Sequence, residues 1–219
     1  MMTTLTIDYY SDVLCVWAWI SQRRLQELTE EWVGKIDVHF HFLNVFGDVE
    51  TKITEKWSDR GGYEGFGKHI LDAVSPYDNA IVNPDIWKSV RPKTSSNAHL
   101  VLKAVSLIYS KEQLADLTFL IQKSFFEDLL DIGNLNTLYE LVSEKGLNIG
   151  KVKLLLENGS AMAALMHDYE SANELSIKGS PTWIMNNGRQ ELFGNVGYRI
   201  LSANIKEILD KPQQQASWC

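Results

Sequence analysis

The chain has 219 residues, of which 45% are hydrophobic and 22% are charged, so residues 1–219 can bury the core of a single domain. The formal net charge of −7 argues against a nucleic-acid partner, because phosphate binding needs a basic surface. No run of about 18 or more apolar residues occurs, which predicts that no segment spans a membrane.

The N-terminal segment 1–8 lacks the basic region and apolar stretch that mark a secretory signal. The chain contains 2 cysteines, too few for a disulfide framework. Together these features predict a reducing, cytoplasmic location.

The first 45 residues predict a strand, a helix and a second strand. Apolar side chains alternate with polar ones in both strands, whereas residues 17–32 have a helical spacing and are followed by Gly34, a stop signal. A unit of this length indicates a parallel strand pair joined by a crossover helix. The apolar strand positions are Leu5, Ile7 and Tyr9, then Ile36, Val38, Phe40 and Phe42.

His39 and His41 share one face of the second strand and raise the question of a metal site. Zinc sites need three or four ligands, and no third ligand follows at a suitable spacing. The pair is therefore interpreted as a solvated or packed pair, and no metal is expected.

The middle of the chain is predicted to be a helical insertion within one fold, over about residues 61–174. A polar stretch at 48–62 ends in a loop signal, and amphipathic stripes follow it. The remaining parts, about 1–60 and 175–210, would form the core around this insertion. The predicted helices cover 95–109, 114–130, 136–145 and 150–174.

The last fifty residues return to β-structure. A short strand opens after Gly179-Ser180-Pro181, and Asn186-Asn187-Gly188 is a strong hairpin turn. A returning strand at 190–193 and a closing helix at 198–209 complete the pattern.

Cys15 is the candidate nucleophile, because it stands between the first strand and the helix that follows. A thiol at a helix N-terminus meets unpaired backbone N–H groups and the positive end of the helix dipole, so a lowered pKa is expected. The alternative is a packed cysteine that acts as a small hydrophobe. Position 18, where a Cys-x-x-Cys pair would place a second sulfur, holds Ala18.

The order of these elements resembles the DsbA-like branch of the thioredoxin superfamily. The resemblance is closest to its FrnE-like group, beside the 2-hydroxychromene-2-carboxylate isomerases and kappa-class glutathione transferases. FrnE-like active sites read roughly Asp-x-x-Cys-Pro-Trp-Cys-Tyr-Ile-Gly, and here Asp12, Cys15, Trp17 and Ile20 match. The two departures are Val16 in place of proline and Ala18 in place of the second cysteine.

Segments 91–99, 125–133 and 179–183 also resemble family segments, so the resemblance spans about residues 5–209. It implies an α/β thioredoxin fold, βαβ…ββα, with a large all-helical insertion. It also implies that Cys15 is the catalytic nucleophile and that Pro181 is a cis-proline facing it. Ser180 would then bind an extended thiol substrate through its backbone. The residues expected to line the substrate site are Asp12, Trp17, Ala18, Asn97, Ser180 and Pro181.

Structural alternatives stand beside these roles. Asn97 could be a helix cap or first-turn residue, and His99 a packed histidine. Pro181 could simply start a strand. Cys219 ends a polar tail, and its part in the chemistry is open.

Three functions follow as hypotheses. The first is a cytoplasmic monothiol oxidoreductase, in which an external thiol resolves the Cys15 adduct. The second is a glutathione-dependent transferase or isomerase. The third is a binding module that uses a Trp-rich cleft, formed by Trp17, Trp19 and Trp183, for a peptide or an apolar ligand. No tightly bound cofactor is expected. Glutathione is a candidate co-substrate, a protein thiol or disulfide is a candidate partner, and a homodimer is left open.

Overall fold

A four-stranded mixed sheet with the strand order β2-β1-β3-β4 organises the computed structural model, which describes residues 4–212. Strand β1 pairs in parallel with β2 and antiparallel with β3, and β3 pairs antiparallel with β4. The strands are β1 (Leu5–Ser11), β2 (Ile36–Phe42), β3 (Thr182–Met185) and β4 (Gln190–Phe193). The predicted α/β thioredoxin arrangement, βαβ…ββα, is confirmed.

Helices α1 (Val16–Glu31) and α9 (Tyr198–Asp210) cover one face of the sheet. Every second side chain of β1 points toward them, because successive strand residues face opposite sides. Burying these apolar side chains is the main source of stability for this layer. The core between the sheet and the two helices contains Leu5, Ile7, Tyr9, Leu25, Leu28, Trp183, Met185, Leu201, Ile205 and Ile208.

The segment between β2 and β3 is helical and encloses a second core rich in aromatic side chains. Its helices begin at Val49, before the predicted start at residue 61, and its last helix packs on β2. No helix in the described part of the chain is long and apolar enough to cross a bilayer. The helices are α2 (Val49–Thr54), α3 (Gly62–Val74), α4 (Ser96–Ser106), α5 (Lys111–Phe126), α6 (Leu135–Glu144), α7 (Ile149–Glu157) and α8 (Ser160–Glu174), with a short 3-10 helix at Ser58–Arg60.

Two helical features differ from the sequence-based expectation. The single helix predicted over 150–174 is two helices, because Gly159 adopts a φ of +83° and ends the first of them. Helix α3 was not predicted, since its glycines obscure the apolar pattern. Gly67 is needed there, because a Cβ at this position would lie 2.7 Å from the Ile86 carbonyl oxygen.

His41 belongs to a charged cluster that joins the sheet to the helical segment. Its Nδ1 lies 3.0 Å from Asp168 Oδ1 and its Nε2 lies 3.0 Å from Asp8 Oδ1. Lys103 Nζ donates to Asp168 Oδ1 at 2.9 Å, and the Phe42 backbone N–H donates to Asp168 Oδ2 at 2.8 Å. Because Asp168 is buried, the cluster fixes α8 and α4 against β2.

His39 faces a different set of charges. Its Nε2 lies 2.9 Å from Asp37 Oδ2 and 2.7 Å from Lys111 Nζ. The two histidines share only Asp8, whose Oδ1 lies 3.0 Å from His41 Nε2 and 3.8 Å from His39 Nδ1. Among residues 4–212 no three His, Cys, Asp or Glu side chains are grouped as a metal ion would require.

The contacts of the cluster shift its pKa values in opposite directions. Burial by itself would lower the pKa of His41, but Asp168 and Asp8 outweigh it and raise that pKa above its ordinary value. Burial by itself would raise the pKa of Asp168, but His41, Lys103 and the Phe42 N–H outweigh it and lower that pKa. His41 and Asp168 are therefore both charged in the range between the ordinary aspartate and histidine pKa values.

We predict that the free energy of unfolding falls as the pH rises above the ordinary histidine pKa. A raised folded-state pKa stabilises the fold fully below the unfolded pKa, and this contribution is lost as the pH passes the folded pKa. His41→Gln should flatten this alkaline slope and lower stability at pH 6 by about 1–3 kcal/mol, the range for hydrogen bonds to charged groups. Urea unfolding across pH 5–9 measures both effects.

The matched control is His167→Gln, which alters an exposed histidine of α8. This variant should keep the alkaline slope of the wild type. An equal flattening in both variants would remove His41 as its source.

Candidate active site

Cys15 is the N-cap residue of α1, and its thiol faces the loop before β3. The Sγ atom donates a hydrogen bond to the backbone oxygen of Ser180 at 3.3 Å. The side chain makes no capping bond to the helix, and the residue is only 7% exposed. The structure thus brings Cys15 and Ser180 together, as the resemblance implied.

Ser180 contacts the Cys15 loop through both its backbone and its side chain. Its Oγ accepts a hydrogen bond from the Asp12 backbone N–H at 2.9 Å. The Ser180–Pro181 peptide bond is cis, and the Pro181 oxygen accepts from the Gly194 N–H at 2.8 Å. The loop before β3 is therefore tied both to the hairpin beyond it and to the segment that carries Cys15.

Asp12 is fully buried and organises the loops around Cys15. Its Oδ1 accepts from the Leu14 N–H at 2.9 Å. Its Oδ2 accepts from the N–H groups of Val45, at 3.1 Å, and Phe46, at 2.8 Å, and from Ser95 Oγ at 2.8 Å. A carboxylate used in this way positions the site and has no exposed atom to offer a substrate.

The expected lowering of the Cys15 pKa is wrong. Burial raises the pKa of the thiol, and the negative charge of Asp12 acts in the same direction. The Ser180 hydroxyl and the backbone N–H groups of Ala18 and Trp17 favour the thiolate, as a helix N-terminus should, but they do not outweigh the burial. The resting residue is therefore a protonated thiol.

Position 18 faces the interior beside the thiol. Ala18 is 1% exposed, so its methyl group fills the space that the second sulfur of a Cys-x-x-Cys pair would use. Trp17 is half-buried and is the residue of the first turn of α1 that reaches the surface. Of the candidate residues, Trp17 is thus the one with an aromatic surface that a ligand can reach beside Cys15.

The Trp-rich cleft predicted for a binding module does not form. Trp19 is 4% exposed and packs on Phe126 with ring centroids 5.7 Å apart, inside the helical core. Trp183 is 1% exposed and packs on Tyr9 with centroids 4.5 Å apart, beneath α1 and α9. The two indoles lie in separate cores, so neither lines a shared groove with Trp17.

The opening of α4 supports the site from behind. Asn97 Nδ2 donates to the Gly133 oxygen at 2.8 Å, so this amide holds the 131–133 loop. His99 is buried and its Nε2 accepts from the Val13 N–H at 3.3 Å, two residues before Cys15. Burial lowers the pKa of His99, which keeps the ring neutral and able to accept. A direct substrate contact by Asn97 stays a prediction.

Sequence reasoning did not single out Lys52 or the loop at 43–46. Lys52 Nζ lies 4.7 Å from the centre of the Phe46 ring, and the Phe46 N–H is bonded to Asp12. A lysine in a polar stretch gives no signal of such a position, because only the tertiary fold brings α2 beside the Cys15 loop. A cavity of about 570 Å³ lies elsewhere, between α1, β2 and α5, and none of the predicted site residues lines it.

The chain is similar to known proteins in both sequence and structure. The family described as DSBA-like thioredoxin domain matches residues 6–206. A search of curated proteins finds no match.

Several solved structures have the same fold at low sequence identity. The cytosolic disulfide reductase DsbM of Pseudomonas aeruginosa is 19% identical, with a TM-score of 0.70 over 92% of this chain and 99% of that one. A Streptomyces coelicolor protein described as a probable DsbA oxidoreductase is 14% identical, with a TM-score of 0.74 over 98% and 94%. A 2-hydroxychromene-2-carboxylate isomerase is 14% identical, with a TM-score of 0.64 over 97% and 100%.

We predict that alkylation of Cys15 has a pH midpoint above that of a free cysteine in a peptide. The reason is that burial and the Asp12 carboxylate disfavour the thiolate. The rate of iodoacetamide labelling, followed at Cys15 by peptide mapping and mass spectrometry from pH 6 to 11, gives the midpoint. A midpoint at or below that of the peptide would contradict the prediction.

Asp12→Asn should separate the two effects of Asp12. Replacing one acceptor oxygen by an NH2 group should destabilise the fold by about 1–3 kcal/mol, since the buried donors on that oxygen are left unsatisfied. The loss of its negative charge should also move the alkylation midpoint of Cys15 to lower pH. Asp59→Asn, which removes an equal charge at an exposed position, is the control and should change neither quantity.

Proposed function

The chain belongs to the DSBA-like thioredoxin domain family, and from this we propose that it is a monothiol thiol–disulfide oxidoreductase with Cys15 as its nucleophile. One observation carries the proposal. The Cys15 thiol lies at the N-terminus of α1, 3.3 Å from the Ser180 oxygen, with the methyl group of Ala18 where a resolving thiol would stand.

The reaction is a two-step exchange. Cys15 loses its proton, and the thiolate attacks one sulfur of a substrate disulfide, forming a mixed disulfide and releasing the other sulfur as a thiolate that takes up a proton. A second thiol from solution then attacks the substrate sulfur of the adduct. It forms the product disulfide and returns Cys15 as a thiolate. Each step exchanges one sulfur–sulfur bond for another, so no separate oxidant is needed.

Ser180 changes partners during this cycle. In the resting site its carbonyl oxygen accepts a hydrogen bond from the Cys15 thiol. When the thiol ionises, this oxygen becomes free to accept an N–H from the backbone of a bound substrate, in the manner of an added strand. The Ser180 hydroxyl and the N–H groups at the head of α1 then stabilise the thiolate and the sulfur of the adduct.

We propose glutathione as the thiol partner and the cytoplasm as the location. The DsbM structure, described as cytosolic, was also solved with GSH; it is 18% identical, with a TM-score of 0.67 over 94% of this chain and 98% of that one. A monothiol site depends on an abundant external thiol to resolve its adduct, and cytoplasmic glutathione meets that need. Ala18 is what makes the external thiol necessary.

A glutathione-dependent isomerase or transferase is the second candidate. The observation that favours it is the buried Cys15 thiol, which donates a hydrogen bond to the Ser180 oxygen and could donate in the same way to a glutathione thiolate. The two candidates differ in the fate of the sulfur. The oxidoreductase forms a covalent adduct, whereas the isomerase or transferase binds reduced glutathione without one.

We predict that incubation with glutathione disulfide leaves a single, long-lived glutathione adduct on Cys15. Among the described residues no second thiol stands beside Cys15 to expel it, so it should persist until reduced glutathione is added. Intact-mass analysis detects the adduct, and peptide mapping places it. The adduct should be absent in Cys15→Ser and retained in Cys219→Ser, whose site lies outside the described residues.

Ala18→Cys should convert the site to a dithiol. Positions 15 and 18 are three residues apart on the first turn, so their sulfurs can approach bonding distance. This variant should release the glutathione adduct by itself and oxidise a reduced client protein faster than the wild type. A wild-type adduct that disappears unaided, or refolding activity that survives Cys15→Ser, would refute the monothiol mechanism.

A further inference from the structure

Lys52 is a half-buried cation at the edge of the Cys15 site. Its ammonium nitrogen lies 4.7 Å from the centre of the Phe46 ring. The Phe46 backbone N–H donates to the Asp12 carboxylate at 2.8 Å, and the backbone oxygen of the same Asp12 accepts from the Cys15 N–H at 3.0 Å. Two hydrogen bonds through Asp12 thus connect Phe46, on which Lys52 packs, to Cys15.

No carboxylate among the described residues lies within ion-pair distance of Lys52 Nζ, in contrast to several other lysines. A cation–π contact holds an ammonium in place without neutralising it. In the described part of the chain the positive charge of Lys52 is therefore not balanced by a carboxylate. The lysines that do have carboxylate partners are Lys68, Lys88, Lys93, Lys103, Lys111, Lys123 and Lys206.

The electrostatic surroundings of Lys52 favour the binding of an anion beside its ammonium group. Burial lowers its pKa, and the neighbouring charge of Lys56 lowers it further, while Asp12 and Cys15 act in the opposite direction. An incoming carboxylate would offset the cost of burying this ammonium. The chain as a whole carries a net charge of −7, so an acidic substrate is repelled unless a local cation receives it.

Resting on the function proposed above, we propose that Lys52 determines specificity at this site by binding a carboxylate of the thiol or disulfide that exchanges with Cys15. The substrate class is therefore small acidic thiols and their disulfides, such as glutathionyl compounds. Lys52 acts on the substrate and takes no part in bond exchange.

Two alkylating agents of nearly equal size but different charge test this inference. Iodoacetate is an anion and iodoacetamide is neutral. The first transfers a carboxymethyl group and the second a carbamidomethyl group to the Cys15 thiolate, each with loss of iodide. The ratio of their rate constants at Cys15 cancels the fraction of thiolate and reports the local preference for a negative charge. Peptide mapping by mass spectrometry measures both rates in the full-length protein.

Lys52→Met should lower the iodoacetate-to-iodoacetamide ratio about fivefold at low ionic strength, a Coulomb effect expected for a cation several ångströms away. Lys52→Arg should keep most of the wild-type ratio. Lys151→Met removes an equal charge from an exposed position on α7 and should leave the ratio unchanged. In the wild type, added salt should reduce the ratio, because mobile ions screen the attraction.

An unchanged ratio in Lys52→Met, or an equal fall in Lys151→Met, would overturn the role of Lys52 while leaving Cys15 as the nucleophile. If Lys52→Met does not fold, a wild-type ratio that is insensitive to salt would overturn the role instead. A Cys15 that reacts with neither agent at any pH would defeat the proposed function and this inference with it.

Discussion

The carboxylate of Asp12 is the constraint on which the geometry of the Cys15 site depends. A single buried side chain receives hydrogen bonds from its own loop, from the 45–46 backbone and from Ser95 at the head of α4. These three segments are far apart in the chain, so no local preference could align them. A buried charge is tolerated only when it is fully hydrogen-bonded, and this requirement forces the segments together.

The same interaction explains the chemical state of the thiol. Asp12 holds Cys15 in place, yet its negative charge disfavours a second negative charge nearby. The N-terminal N–H groups of α1 act against this effect and do not overcome the burial. The interaction that fixes the position of Cys15 therefore also lowers the stability of its thiolate. Lys52, which lies over the Phe46 ring, is the charge of opposite sign that the proposal assigns to the substrate carboxylate.

Helix α1 is held by both cores of the protein. Trp19 and Ile20 pack in the aromatic core of the helical segment, whereas Leu25 and Leu28 pack against the sheet. Because the two ends of the helix are buried in different layers, it cannot shift without disturbing both. Cys15 therefore stands on a rigid support, which suits a site whose thiol must meet a backbone oxygen at a fixed distance.

Regular patterns made the sheet and the closing helix predictable from the sequence. The alternation of Leu5, Ile7 and Tyr9 and the Asn-Asn-Gly turn depend on local chemistry, which a sequence displays directly. The break between α7 and α8 at Gly159 was missed, since one glycine inside an apolar stripe does not by itself end a helix. Helix α3 was missed because its glycines obscure an apolar spacing that is otherwise helical.

Some members of the site were predictable from the sequence, but Lys52, the 43–46 loop and the energetics of the site were not. Cys15, Ser180 and Pro181 stand at recognisable points of the chain, and the fold brings them together. The direction of the Cys15 pKa depends on how deeply the thiol is buried and on how near Asp12 lies, and both follow from long-range packing. The burial of Trp19 and Trp183 has the same origin, which is why an aromatic cleft was expected where two separate cores exist.

The hydrogen bond from the Cys15 thiol to the Ser180 oxygen has a consequence for damage as well as for exchange. Peroxides attack the thiolate and scarcely react with the thiol. In the described part of the chain Cys15 has no second thiol beside it to trap the sulfenic acid before it is oxidised further. A sulfur that keeps its proton at rest is shielded from this irreversible loss. The low reactivity of the resting thiol therefore protects Cys15 from irreversible oxidation between turnovers.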